Sequence, residues 1–181
     1  MEPAIAPEPV PDDVATLREA RRGDHAAGRW LVARHGEAMM RTARSILGRY
    51  AGTDAQDVVQ EAFVAALITP ALPAGDVGAW LRAIAARKAL DWLRQVSRRA
   101  EVSIPEHPVR AAPSDSPSGV IALRGALGRL APLDRAVLTL VDLEGFSMAE
   151  AASALGSTTM AVKWRAVRAR RRLRTLLEGG A

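Results

Sequence analysis

The chain has no cysteine among its 181 residues. Disulfides and thiolate metal sites are therefore excluded, and a reducing, cytoplasmic location is the compatible one. Histidine is scarce: His25, His35 and His107 are too scattered for a metal cluster, so surface or packing roles are expected for them. Aromatic residues make up only 4% of the chain, and no alternating apolar–polar run of useful length is present. With alanine, leucine and arginine abundant, an all-α fold is expected. Long apolar runs are missing as well. The uncharged stretch 62–75 falls short of the about 20 apolar residues a membrane span needs, and Pro70 and Pro73 interrupt it. Residues 1–11 have no basic start and no long apolar core, so no signal peptide is read. There is no nucleophile elbow, phosphate loop, metal-ligand cluster or carboxylate pair with a supporting base. Neither an enzyme, nor a cofactor, nor a small-molecule substrate is expected.

What is present is positive charge, unevenly placed. Residues 120–181 carry ten basic side chains against five acidic ones, which accounts for the whole net charge of +5. The first 119 residues are neutral overall, yet between Trp80 and Arg99 six basic residues oppose only Asp91. Two separate basic patches of this kind are the electrostatic footprint of a polyanion partner.

The chain divides at a composition shift. Residues 1–11 are proline-rich and read as a disordered tail. Asp12 or Asp13 caps a first helix to about Arg22, and Asp24 caps a second through Leu47, with Met39 and Met40 as core filling. A third helix runs from Asp54 to about Ile68, a loop from Thr69 to Gly78, and a fourth helix from Ala79 to about Arg99. Residues 100–119 hold Pro105, Pro108, Pro113 and Pro117 with several serines. Read as a flexible Pro/Ser-rich linker, they could span on the order of 60 Å if extended. The expected organisation is thus two small helical domains, 12–99 and 120–178, joined by 100–119. In the second, helices are expected at Val120–Leu130 and Leu133–Leu143, with Phe146 as a core plug.

The end of the chain is a helix-turn-helix. Ser147 with Glu150 three residues on is a capping box. Leu155-Gly156 ends that short helix, and Thr158 or Thr159 caps the next, a basic helix to about Arg172. Val162, Ala166, Ala169 and Leu173 form its inward stripe. Met160, Lys163, Trp164, Val167 and Arg168 are candidate base readers in the DNA major groove, with Arg165, Arg170, Arg171, Arg172 and Arg174 suited to phosphates; Thr159 and Arg171 complete the candidate DNA-binding set of this helix. A solvated basic helix on an ordinary bundle is the plainer alternative.

A second motif lies at residues 54–63, Asp-Ala-Gln-Asp-Val-Val-Gln-Glu-Ala-Phe. Asp57, Gln60 and Glu61 share one helix face by i+3 and i+4 spacing. Such a stripe is usually solvated surface; a protein partner with matching basic groups is the sharper reading.

In three stretches the chain resembles the extracytoplasmic-function (ECF) sigma factors of bacterial RNA polymerase. They are residues 54–63; Ala79-Trp80-Leu81-Arg82-Ala83-Ile84-Ala85 with Lys88-Ala89-Leu90-Asp91; and residues 143–150 followed by Leu155-Gly156 and Val162-Lys163. The resemblance implies that Asp57, Gln60 and Glu61 dock on core RNA polymerase. It implies that the loop Thr69–Gly78 and the helix bearing Trp80, Arg87, Lys88 and Arg94 bind the promoter −10 element, and that the helix from Thr159 reads the −35 element. It further implies an anti-sigma partner, possibly membrane-bound. Holding a separated strand needs a pocket and backbone cations, which fits Trp80 with the basic face; Trp80 reads equally as a core residue, and Trp92 as core or partner-facing. Departures bear on the promoter rather than the role. Arg87 stands where many members have asparagine, Trp164 where serine is common and Met160 where glycine is common. Ala151 replaces a larger aliphatic residue, leaving Met148 or Leu155 to fill that core. A stand-alone DNA-binding regulator and a sigma-like decoy for an anti-sigma protein are the competing readings; the first gives residues 54–63 no role, and the second gives none to the basic helix.

Overall fold

The computed structural model describes residues 12–52, 54–73, 75–102 and 118–178. The expected tail and the middle of the expected linker lie outside them. All regular structure among the described residues is helical.

Side-chain caps decide where most helices start. Asp12 Oδ1 accepts the Val14 amide at 3.0 Å to open α1 (Asp13–Arg21). Asp24 accepts the Ala26 and Ala27 amides at 2.7 and 3.2 Å to open α2 (His25–Leu47), which ends at Gly48 with φ +60°. A short 3-10 turn, Gly48–Tyr50, lies between α2 and α3 (Asp54–Ile68). The fourth helix, α4 (Val77–Val102), starts two residues earlier than its sequence suggests, because Asp76 Oδ1 takes the Gly78 amide at 2.8 Å and acts as the cap.

Helix occupies both ends of the expected linker: α4 continues through Val102, and α5 (Ser118–Gly128) holds residues 118 and 119. Pro132, at the first position of α6 (Pro132–Leu138), fixes that helix start. The expected helix to Leu143 then widens into a π turn, Thr139–Leu143, closed by Gly145 at φ +74°. The capping box of Ser147 and Glu150 opens α7 (Met148–Ala154). Thr158 is the residue that caps α8 (Thr159–Glu178), accepting the Ala161 amide at 3.2 Å. α8 runs a turn and a half beyond Arg172.

α1–α4 form one bundle around Leu17, Leu31, Met39, Ile46, Val58 and Leu81, all at most 2% exposed. The second set of helices packs on this bundle. Ala136, Val137, Leu140, Phe146, Ala151 and Val162 belong to the same continuous apolar cluster. Met148 and Leu155 pack against this cluster, which includes Ala151, and the Trp92 ring lies 5.5 Å from that of Tyr50. A smaller cluster of Leu127, Leu130, Leu138 and Ala169 seats α5 against α8. Both expected helical modules are present, and they share a core.

Candidate polymerase and nucleic-acid interfaces

α3 buries Ala55, Val58, Val59, Ala62 and Ala66 against the bundle. Its opposite face therefore presents Asp57, Gln60 and Glu61, all exposed. They line a shallow groove of 530 Å³ whose floor is Val64, Ala65 and Ile68. Ile68 is 76% exposed and Val64 53%, so the acid-and-amide rim encloses apolar surface that the bundle does not use. Lys88 of α4 closes one end, its Nζ 3.4 Å from Glu61 Oε2.

On α4, Trp80, Arg87 and Arg94 are spaced by seven and lie along one stripe. The structure does not leave them equally free. Trp80 is half-buried against the core, with the Arg21 guanidinium 5.8 Å from its ring centroid. Arg21 also donates to Ala66 O at 2.9 Å and to Ala71 O at 3.1 Å, and so pins the start of the loop at residues 69–73. Arg87 reaches across to the second module. Its Nε and Nη2 donate to Ala154 O at 3.1 and 3.0 Å, and Nη2 to Ser153 O at 3.1 Å, so it caps the C-terminus of α7. Arg94 pairs with Asp91 at 2.7 Å and Lys88 with Glu61. Between the loop and α7 lies a concave space of 480 Å³, lined by Pro73, Asp76, Trp80 and Arg87 on one side and Phe146 and Glu150 on the other.

α8 faces solvent along most of its length. Val162, Ala166 and Ala169 are buried and Leu173 half-buried. Directly opposite, Met160, Trp164 and Val167 are 61%, 69% and 60% exposed, with Arg171 continuing the line. Thr159 and Lys163 are exposed near the helix start. Two carboxylates flank the helix. Asp134, 6% exposed, takes Arg165 Nη1 at 3.1 Å and Arg168 Nη2 at 3.2 Å. Asp142 takes Arg170 Nη2 at 2.6 Å and Nε at 3.0 Å, a bidentate bond that raises the arginine's pKa. Arg168 and Arg170 are thus tied at their sides but stay exposed, as are Lys163, Arg171, Arg172 and Arg174.

Sequence reasoning missed the groups that join the modules. Arg135, 4% exposed, donates to Ile46 O at 2.6 Å, and its Nη1 to the Gly128 carbonyl at 3.1 Å. Burial first, and Arg49 second, lower its pKa. Glu144 is 3.2 Å from Arg82 Nε and accepts the Thr42 hydroxyl at 3.0 Å. The hydroxyls of Ser45 and Thr139 are 2.8 Å apart. The one available signal was Glu144, which falls in a family-like stretch. Nothing marks Arg135 among the other basic residues.

Among the described residues no helix is long and apolar enough to cross a membrane. Nor does any group of three His, Asp or Glu side chains among them stand where it could hold a metal ion.

Residues 31–99 match the model of sigma-70 region 2, and residues 121–173 match sigma-70 region 4. The chain is 34% identical to the ECF RNA polymerase sigma factor SigM of Mycobacterium tuberculosis, over 91% of this chain and 84% of that protein. It is 32% identical to the RNA polymerase sigma factor CnrH of Cupriavidus metallidurans, over 94% of this chain and 96% of CnrH. The solved structure of CnrH in complex with the cytosolic domain of CnrY superposes with a TM-score of 0.66, covering 93% of this chain and 99% of that one. A sigma factor RpoE in complex with the anti-sigma factor NepR, from Bartonella quintana, shares the fold with a TM-score of 0.67 at 24% identity, over 83% and 96% of the two chains. On the two matched regions, and on relatives of this identity covered over most of their length, the chain belongs to the ECF family of RNA polymerase sigma factors, the alternative sigma factors that direct transcription initiation.

Proposed function

We propose that this sigma factor docks on core RNA polymerase through the α3 groove, with Asp57, Gln60 and Glu61 as the polar contacts. Through α4 and the loop before it, it engages the −10 element, with Trp80, Arg87, Lys88 and Arg94 as the contacting set. Through α8 it binds the −35 element, with Thr159, Met160, Lys163, Trp164, Val167, Arg168 and Arg171 as the contacting set, Arg171 on phosphate. The observation that carries the reading is the exposed stripe Asp57–Gln60–Glu61 over an apolar floor, on a helix within the matched region 2. A stand-alone DNA-binding protein has no use for that surface. The chain acts without catalysis of its own and in the cytoplasm, where its polymerase is. Because the similar structures are sigma factors held by CnrY and NepR, an anti-sigma partner is part of the proposal.

The test is capture of core polymerase by the purified protein. Wild type retains the polymerase, whereas Gln60→Ala/Glu61→Ala loses most of the retention while keeping its duplex affinity. Equal capture by both proteins contradicts the docking assignment.

A further inference from the structure

The exposed line of α8 is apolar where a phosphate-binding helix would be cationic. Met160, Trp164 and Val167 stand clear of the protein opposite the buried stripe. No acidic residue occurs on α8 before Glu178, while Arg171 ends the line and Lys163, Arg172 and Arg174 flank it. An apolar ridge inside a basic field complements a polyanion that carries apolar groups at the depth of the ridge. Arg165 and Arg168 each give one nitrogen to Asp134 and are drawn to the side of the helix. The line facing away from the protein is left to the apolar side chains.

In the major groove the group that apolar side chains recognise is the thymine 5-methyl. We infer that Met160, Trp164 and Val167 read thymine methyl groups in the −35 half of the promoter, Trp164 being the principal contact. This rests on the assignment of α8 as the −35 reader and adds which chemistry it reads. From Met160 to Val167 the helix advances about 10 Å, which is about three base-pair steps at 3.4 Å each. The ridge thus matches a short thymine-containing run, with the exposed cations meeting the flanking phosphates.

The experiment uses full-length protein with core polymerase and a randomised duplex pool. Bound sequences are selected, and each thymine of the selected upstream element is replaced by deoxyuridine, which removes the methyl and leaves the pairing intact. The expected result is enrichment of thymines within a window of three or four base pairs, and a loss of about fourfold in affinity per contacted methyl, the size of one buried methyl group. Trp164→Ser abolishes the thymine-over-uracil preference while retaining salt-dependent duplex binding. Arg171→Ala weakens all sequences alike and lowers the salt slope by about one. If deoxyuridine substitution changes nothing at any position while duplex binding keeps its steep salt dependence, the methyl reading is overturned and α8 remains a DNA-binding helix. If Trp164→Ser leaves the selected sequence and its uracil sensitivity as in wild type, the ridge is not the reader, and a partner protein is its occupant. If the complex with polymerase shows no salt-dependent duplex binding, the −35 assignment itself fails.

Discussion

Arg135 lies under the end of α2 with its guanidinium spread over main-chain oxygens from both modules, Ile46 on one side and Leu127, Gly128 and Leu130 on the other. Its planar fork suits several carbonyls at once, which a lysine ammonium cannot match. Removing it strands buried acceptors, each costing about 1–3 kcal/mol. Arg135→Ala is therefore expected to destabilise the protein by about 2–4 kcal/mol, read as a lowered urea midpoint, with Arg135→Lys recovering only part. A change within about 0.5 kcal/mol would mean that the contact does not form in solution. At the opposite end of the burial range, Ser147→Ala is expected to cost about 1 kcal/mol by loss of the α7 cap. The Ser147 side chain, then its main chain, lowers the pKa of Glu150. A carboxylate lowered on folding stabilises above its ordinary value of 4.5 and loses that contribution as pH falls through the lowered value. The acid limb of the stability curve should shift in Glu150→Gln, and an unchanged limb would contradict the contribution of the capping box. Residue types made these two sites unequally legible. Ser147 and Glu150 are three apart and announce their bond, whereas Arg135 and Ile46 are 89 apart in sequence and nothing local connects them.

At the scale of elements, α3 and α8 each bury one stripe and leave the opposite face to solvent. The seat of α8 is electrostatic at both edges, through Asp134 and Asp142. Asp134→Asn should release Arg165 and Arg168, steepen the salt dependence of duplex binding by about one unit of slope, and reduce discrimination between sequences. Titrating binding against salt checks this; an unchanged slope would show that those arginines were already available to phosphate. The bounds of α3 could be read from Asp54 and Pro70, and those of α7 from its capping box. The start of α4 was legible too, had Asp76 been given its weight as a cap over the nearby glycines. The π turn after Leu138 was not legible, because it arises where Thr139 and Glu144 meet Ser45, Thr42 and Arg82 of the first module. Such contacts are tertiary, and no spacing rule foretells them.

For the whole molecule, the shared core has a consequence for promoter binding. A compact body of this length has a radius of gyration of about 16 Å. Elements at −10 and −35 lie about twenty-five base pairs apart, on the order of 80 Å of duplex at 3.4 Å per pair. The packed arrangement cannot reach both, and it engages Arg87 of the proposed −10 set with α7. The second module must therefore leave the first when polymerase and promoter are bound. Since the natural chain has no cysteine, Glu37→Cys/Glu178→Cys labels cleanly for energy transfer. Transfer should be high in the free protein and fall on promoter-complex formation, and an unchanged signal would rule out opening. In the proposed function one face of α3 brings the polymerase and one face of α8 brings the promoter. Both are tested by sequencing transcripts made on genomic DNA by core polymerase with the wild-type protein or with Gln60→Ala/Glu61→Ala. A defined set of start sites is expected with wild type and their loss with the α3 variant, although that variant still binds duplex; the same start sites at equal yield with both proteins would contradict the assignment.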